Sequence, residues 1–376
     1  MSQAELVAEM PATTADFLPL KGIDHIELYV GNAKQSAYFY RAAFGFSITG
    51  YAGLETGSRD KSSYLLEQGK VRLILSTPLT MNHQLNHFLA KHGDGVGVIA
   101  MTVDDVESAY AETTKRGAVG VSEPREITDE NGTYKTASIK TYGDTIHTFV
   151  ERKNYSGFAP GFKSIPGPDP IARPVGLAAV DHMVGNVGWN EMNKWVKWYE
   201  DVMGFHLFLS FDDKDISTEY SALMSKVMAS GSEKIKFPIN EPATGKKKSQ
   251  IEEYIEWNNG PGVQHIAVST ANIIETVTKL SEQGIEFLTI PSSYYRDLEE
   301  RVGKINEPID VLEKLGILVD KDDDGYMLQI FTKPIQDRPT LFFEIIQRRG
   351  ARSFGKGNFK ALFESIEREQ AIRGNL

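Results

Sequence analysis

A chain of 376 residues is longer than one ordinary core needs and comfortable for two domains, and its 41% hydrophobic and 24% charged content belongs to a globular protein, not a fibre or a disordered segment. Its formal net charge of -10 argues against nucleic acid or an anionic membrane as partner. The absence of cysteine excludes a disulfide scaffold, thiolate metal sites and a cysteine nucleophile, so any metal must be held by His, Asp or Glu.

The N-terminal stretch Met1 to Phe17 lacks a basic segment followed by a long apolar run and does not read as a signal peptide. No window approaches a membrane-spanning apolar stretch, and the expected compartment is the cytoplasm. The first half opens with a strand pattern around Asp24-His25, followed by an amphipathic helix over Ser36–Phe44 that ends in Phe44-Gly45-Phe46. Near the middle, Tyr155–Pro174 holds Pro160, Pro166, Pro168, Pro170 and Pro174, with Gly157, Gly161 and Gly167 between them. That density cannot continue a helix or a central strand. It predicts a linker over 154–175 between domains at 1–153 and 176–376.

In the second half, Val180–Val187 alternates with His182, Val184 and Asn186 on one side. Trp195, Trp198, Tyr199 and Val202 then give one apolar helical stripe. Asp322-Asp323-Asp324-Gly325, between apolar runs, predicts a hairpin turn, and its spacing does not match a calcium loop. The chain closes on a helix carrying Phe359, Leu362, Phe363 and Ile366. Asn358 is its expected cap, and Gly355 and Gly357 its expected hinge.

The halves resemble each other. Asp24-His25 matches Asp181-His182, Val98 matches His265, and Thr148 matches Glu344, at offsets of 157, 167 and 196 residues. The growing offset requires insertions in the second copy, and duplication of a whole domain explains the pattern. Within each copy the order is strand, helix, then several strands.

Three polar residues of the second copy stand where a strand wants apolar ones: His182 in Val-Asp-His-Met-Val, His265 in Val-Gln-His-Ile-Ala and Glu344 in Leu-Phe-Phe-Glu-Ile-Ile. A buried carboxylate without a partner is very costly, and a divalent cation resolves that cost. Two imidazoles and one carboxylate form a facial triad that leaves three metal positions open. The first copy has Val98 and Thr148 at two of these positions, so the scaffold does not need the ligands to fold. His25 lacks co-ligands and reads as structural. His83, His87, His92, His147 and His206 show no ligand spacing, and His206, in an apolar run, is expected in the core.

These modules resemble the vicinal oxygen chelate superfamily, and within it the second half resembles the 4-hydroxyphenylpyruvate dioxygenase family. The runs that carry the resemblance are Val180–Val187, Phe237–Pro242, Lys248–Gln250, Gly262–Ala267, Leu328–Pro334, Phe342–Arg348 and Ser353–Phe359. It implies an α+β fold of duplicated βαβββ modules forming two open-barrel domains, with the C-terminal helix as a lid. It also implies a non-haem Fe(II), 2-oxo-acid-dependent dioxygenase of tyrosine and phenylalanine catabolism. Such an enzyme converts 4-hydroxyphenylpyruvate and O2 to homogentisate and CO2, with His182, His265 and Glu344 holding the iron.

Carried over by motif position, Gln250, Asn240, Gln264 and Gln329 are the catalytic amides. Ser225, Pro238, Phe331, Phe354, Asn358, Phe359 and Phe363 line the substrate site. A homodimer or homotetramer packed through the first domain is expected. The alternatives are a 4-hydroxymandelate synthase, an extradiol dioxygenase or a metal-free binding module. Asn240 and Phe359 are the residues that favour the dioxygenase over the synthase.

Overall fold

A computed structural model describes residues 16–212, 220 and 222–375. Most of the N-terminal stretch read for a leader, residues 1–15, lies outside these. The strands of the first half are β1 (Gly22–Tyr29), β2 (Ser47–Ala52), β3 (Lys61–Gln68), β4 (Val71–Pro78), β5 (Gly95–Thr102), β6 (Gly120–Asp129), β7 (Gly132–Lys140) and β8 (Ile146–Lys153). They form one sheet in the order β6-β7-β8-β5-β1-β4-β3-β2, and the short strand β9 (Lys163–Ser164) is added at the β2 edge. The second half supplies β10 (Leu177–Asn186), β11 (His206–Phe211), β12 (Ala222–Ala229), β13 (Lys236–Ala243), β14 (Gly262–Thr270), β15 (Leu318–Lys321), β16 (Tyr326–Phe331) and β17 (Phe342–Arg349). Their order, β11-β12-β13-β10-β14-β17-β16-β15, mirrors the first sheet apart from its reversed direction of listing. Each sheet curls into an open half-barrel.

Helices α1 (Ala33–Phe44), α2 (Leu85–His92) and α3 (Val106–Lys115) belong to the first half. Helices α4 (Met192–Met203), α5 (Gln250–Trp257), α6 (Ile273–Glu282), α7 (Leu298–Val302), α8 (Ile309–Leu315) and α9 (Phe359–Ile372) belong to the second. With these in place the duplication proves to be nested. Within the first half, β1-α1-β2-β3-β4 is followed by β5-α3-β6-β7-β8, so the βαβββ unit occurs twice, and the second half does the same. The two units of a half meet where their first strands pair antiparallel, β1 with β5 and β10 with β14.

The same local chemistry starts and stops matching helices. Asn32 caps α1 by accepting from the Gln35 amide, while Asp105 and Asn272 cap the matching helices α3 and α6. Gly45 and Gly204 end α1 and α4 in the left-handed region, at φ 73° and 66°. A side chain at Gly45 would also run into the Arg173 carbonyl, so no other residue fits there.

One continuous apolar core joins the halves. The aromatic stripe of α4 lies against the first half: Trp195 meets Tyr142 at 6.0 Å between ring centroids, and Trp198 and Tyr199 meet His147 at 6.3 and 5.8 Å. In return α1 places Phe44 4.9 Å and Tyr40 6.2 Å from Phe343 of β17. Phe44 and Phe343 are fully buried, and truncating either to Ala would cost about 3–5 kcal/mol.

The larger insertion anticipated from the offsets is the 286–317 segment, which carries a short 3₁₀ turn at Ser292–Tyr295 together with α7 and α8, whereas α5 between β13 and β14 matches α2 between β4 and β5. Asp322–Gly325 forms the β15–β16 hairpin. The Asp322 carboxylate accepts from the backbone amides of Asp324, Gly325, Arg352 and Ser353, which ties the turn to the segment before α9. Two expectations are corrected. His206 is exposed at the start of β11 near Glu233, not in the core, because the edge of the sheet leaves that face to solvent. Strict alternation over Val180–Val187 is broken by register shifts beside Asp181 and after Val184. No helix among the described residues is long and apolar enough to cross a membrane.

Candidate metal centre

Strands β10, β14 and β17 are neighbours, and their register makes the centre. His182 and Glu344 lie on either side of Ala267 in one cross-strand row, and His265 is one pleat along on the middle strand. The small side chain of Ala267 leaves space between the flanking ligands. His182 Nε2 lies 3.2 Å and His265 Nε2 3.4 Å from Glu344 Oε2, and all three residues are buried. Ligand atoms of the three lie within 4.8 Å of one another.

Each imidazole is oriented through its other nitrogen. Asp181 can only accept, so His182 Nδ1 donates to it at 2.8 Å and turns the Nε2 lone pair into the centre. His265 Nδ1 is held at 3.0 Å by Gln264 Oε1. Arg348 in turn grips both Asp181 oxygens at 2.8 Å and donates to the Ala351 and Ser353 carbonyls. Burial opposes ionisation of Asp181, but Arg348 and His182 hold its carboxyl far below the usual range. Burial likewise opposes ionisation of Glu344, yet the two imidazoles bring it down to about 2. The histidines diverge. Burial is outweighed at His182 by carboxylates on both sides, which raise it, whereas at His265 burial prevails and lowers it.

The donor set fits a divalent metal that accepts nitrogen and oxygen ligands. Two imidazole lone pairs and an ionised, buried carboxylate converge without any other cation against the carboxylate among the described residues. A second acidic group, Asp105, Glu107 and Glu151, also comes close, but Glu151 accepts from the Val106 amide at the start of α3. Its counterpart Gln347 does the same for Ile273 at the start of α6, so this is helix anchoring repeated.

Of the residues singled out from the sequence, Gln264, Phe331 and Phe354 touch the triad. Phe331 meets His265 edge-on at 6.0 Å, and Phe354 meets His182 at 4.9 Å. Gln250 begins α5 and, with Gln264, lines a partly open cleft between α5, α9 and the sheet. Ser225 and Asn240 face each other across β12 and β13, and Pro238 lies two residues before Asn240 on the same strand. Phe359 packs edge-on against Phe211 at 5.0 Å, and Phe363 is buried with Phe211, Leu223 and Ile251. Gln329 is buried on β16, its Oε1 3.3 Å from Asn358 Nδ2. Asn358 precedes α9 as expected but makes no side-chain cap, because its amide is drawn instead to Gln329 and Tyr294.

Sequence reasoning missed Asp181, Phe342, Arg348 and Tyr294. Phe342 stacks on His265 at 4.8 Å and 22°. For Asp181 and Arg348 the signal was present, since Asp24 and Arg152 repeat them in the first half and form the same ion pair.

Comparison with known proteins agrees with this arrangement. The model of the Glyoxalase/Bleomycin resistance protein/Dioxygenase superfamily matches residues 22–143 and 179–330. The chain is 51% identical to the 4-hydroxyphenylpyruvate dioxygenase of Yarrowia lipolytica, over 95% of this chain and 94% of that one. It is 50% identical to that of Dictyostelium discoideum, over 95% and 100%. Among solved structures, a mutant 4-hydroxymandelate synthase from Streptomyces coelicolor superposes with a TM-score of 0.83 at 29% identity, covering 94% of this chain and all of the other. A nested βαβββ duplication, one buried His-His-Glu centre and near-complete alignment at about half identity place the chain in the 4-hydroxyphenylpyruvate dioxygenase family.

Proposed function

We propose that the chain converts 4-hydroxyphenylpyruvate and O2 to homogentisate and CO2, with Fe(II) held by His182, His265 and Glu344. The convergence of both Nε2 atoms on the buried Glu344 carboxylate is the observation that carries this reading. When bound, the metal supplies open positions for a bidentate 2-oxo acid and for dioxygen.

The chain's own residues do the rest. Asp181 and Gln264 hold the two imidazoles in the tautomer that ligates. Phe331, Phe342 and Phe354 wall the site with flat apolar faces suited to an aromatic ring. Gln250, Asn240 and Ser225 offer neutral hydrogen bonds for a phenol or carboxylate, and Gln329 adds another amide beside the lid. Helix α9, entered through Gly355 and Gly357, brings Phe359 and Phe363 over the pocket and keeps water out.

We read residues 1–153 as a metal-free domain, 154–175 as a linker and 176–376 as the catalytic domain. The substitution of Val98 and Thr148 at ligand positions supports that division. The chain is read as a cytoplasmic homo-oligomer packed through the first domain, which sedimentation equilibrium would test.

The deciding experiment incubates purified protein with Fe(II), ascorbate, O2 and 4-hydroxyphenylpyruvate and identifies the product by chromatography. Homogentisate is expected, and 4-hydroxymandelate as main product would establish the synthase instead. Glu344→Gln, which keeps size and removes the anion, should lose nearly all turnover and bound iron. Full activity in that variant would refute the ligand assignment.

A further inference from the structure

Between the second copy's insertion and its lid runs a hydrogen-bond chain that has no counterpart among the described residues of the first half. It starts at Val319 on the edge strand β15, whose amide donates to the Tyr294 hydroxyl at 2.8 Å. The Tyr294 oxygen lies 2.5 Å from Asn358 Oδ1 and 2.8 Å from the Val319 carbonyl, and the shorter contact marks the acceptor of its proton. Asn358 is fully buried. With its oxygen committed to Tyr294, its Nδ2 must point the other way, and there it meets Gln329 Oε1 at 3.3 Å.

We propose that Tyr294 is a positioning residue for the reaction, setting through Asn358 which end of the Gln329 amide the pocket sees. The inference rests on the reading of the chain as a 4-hydroxyphenylpyruvate dioxygenase. The two ends of a glutamine amide have nearly the same shape and opposite hydrogen-bonding sense, so packing alone cannot choose between them. Gln329 lies in a tight slot against Gly355, where any side chain would collide with its oxygen. That slot restricts its position but not its flip. The chain from the Val319 amide removes the ambiguity: it consumes the Gln329 carbonyl and leaves the NH2 as the donor end.

Three further features keep the relay in place. Arg301 lies 4.5 Å over the Tyr294 ring and donates to its carbonyl at 3.0 Å. Burial raises the phenol's pKa, so it carries its proton at any working pH. Gly357, next to Asn358, donates its amide to Asp320 at 3.0 Å, which fixes the entry to α9 beside the same relay. Tyr294 therefore sets the amide and the start of the lid together without touching the metal ligands.

Tyr294→Phe keeps the ring and deletes the donor. Measured on the iron-loaded full chain, kcat is expected to fall on the order of ten-fold with KM little changed. Homogentisate formed per O2 consumed should also drop below the parent ratio, which a purely structural role would not move in folded protein. Asn358→Leu breaks the relay from the other end while leaving the Tyr294–Val319 bonds, so it carries the test if the first variant fails to fold. The double variant should be no worse than the poorer single one. A parent-like kcat and coupling ratio in folded Tyr294→Phe or Asn358→Leu would overturn the proposal, as would multiplicative losses in the double variant. A parent that forms no homogentisate would instead bring down the reading of the reaction and this inference with it.

Discussion

Thr148 holds, in the first sheet, the register position that Glu344 holds in the second: it pairs with Ala100 as Glu344 pairs with Ala267. Val98 replaces His265 in the same way, pairing with Glu27 as His265 pairs with Val184. Around these vacated positions the supporting residues persist. Asp24 holds His25 Nδ1 at 2.7 Å, Arg152 grips Asp24, and Phe158 meets His25 at 5.2 Å as Phe354 meets His182.

The first prediction follows directly. His25→Ala should leave about one iron per chain, because His25 has no co-ligands. Restoring them with Val98→His and Thr148→Glu should raise the content toward two, by elemental analysis of dialysed protein. A variant that folds and still binds one would show that the first half lacks a ready-made site.

The matched aspartates separate orientation from stability. Asp24→Asn and Asp181→Asn each leave a largely buried arginine without its carboxylate and should each cost about 3 kcal/mol in urea unfolding. Only Asp181→Asn should also weaken iron binding, by about 10–100-fold. Equal loss of iron affinity in both would contradict the assignment of His182 over His25.

Phe359 is half-buried against Phe211 at the first turn of α9. On the proposal that Phe359 walls the substrate pocket, shortening it to Val opens room beside the substrate ring, where attack at the ring carbon competes with attack at the neighbouring benzylic carbon. Some flux should pass to 4-hydroxymandelate and coupling should fall. A chromatogram showing homogentisate alone at the parent rate would make Phe359 ordinary packing.

Acid should loosen the contact between the halves through His147. Burial lowers its pKa from 6.5 to about 3, and its Nε2 lies 2.8 Å from the Tyr199 hydroxyl. Between those two pH values the unfolded chain carries a proton that the folded chain does not. Stability from this group is therefore complete above about pH 6.5 and is lost as pH falls, by up to about 1.4 kcal/mol per unit. Urea unfolding of His147→Gln from pH 6.5 to 4 should show a shallower slope than the parent, and identical slopes would refute the role.

What could be read without coordinates follows from how each residue announces itself. His182, His265 and Glu344 were legible because each is a ligand type inside an apolar strand run, and because the first copy lacks two of them. The nested repeat was not: within a half the matching pair Asp181-His182 and Gln264-His265 shares one residue, and the rest is held by backbone pairing that tolerates many side chains. Asn358 precedes its helix, as its type suggests, yet whether an amide caps or reaches elsewhere depends on a tyrosine 64 residues away. Tyr294 lies in an insertion with no periodic pattern to mark it. His206 was misjudged because an apolar run at a sheet edge is open to solvent on one side.

The mutual seating of α1 on Phe343 and of α4 on Tyr142 and His147 also bears on what the first copy contributes. A catalytic half made alone would display Trp195, Trp198 and Tyr199 to water, an invitation to aggregate. The first copy therefore serves its sibling through packing: the aromatic faces on which the second half rests constrain it more tightly than the positions of Val98 and Thr148 do. Substitutions there should be judged by yield of folded enzyme, since turnover per correctly folded chain will scarcely register them.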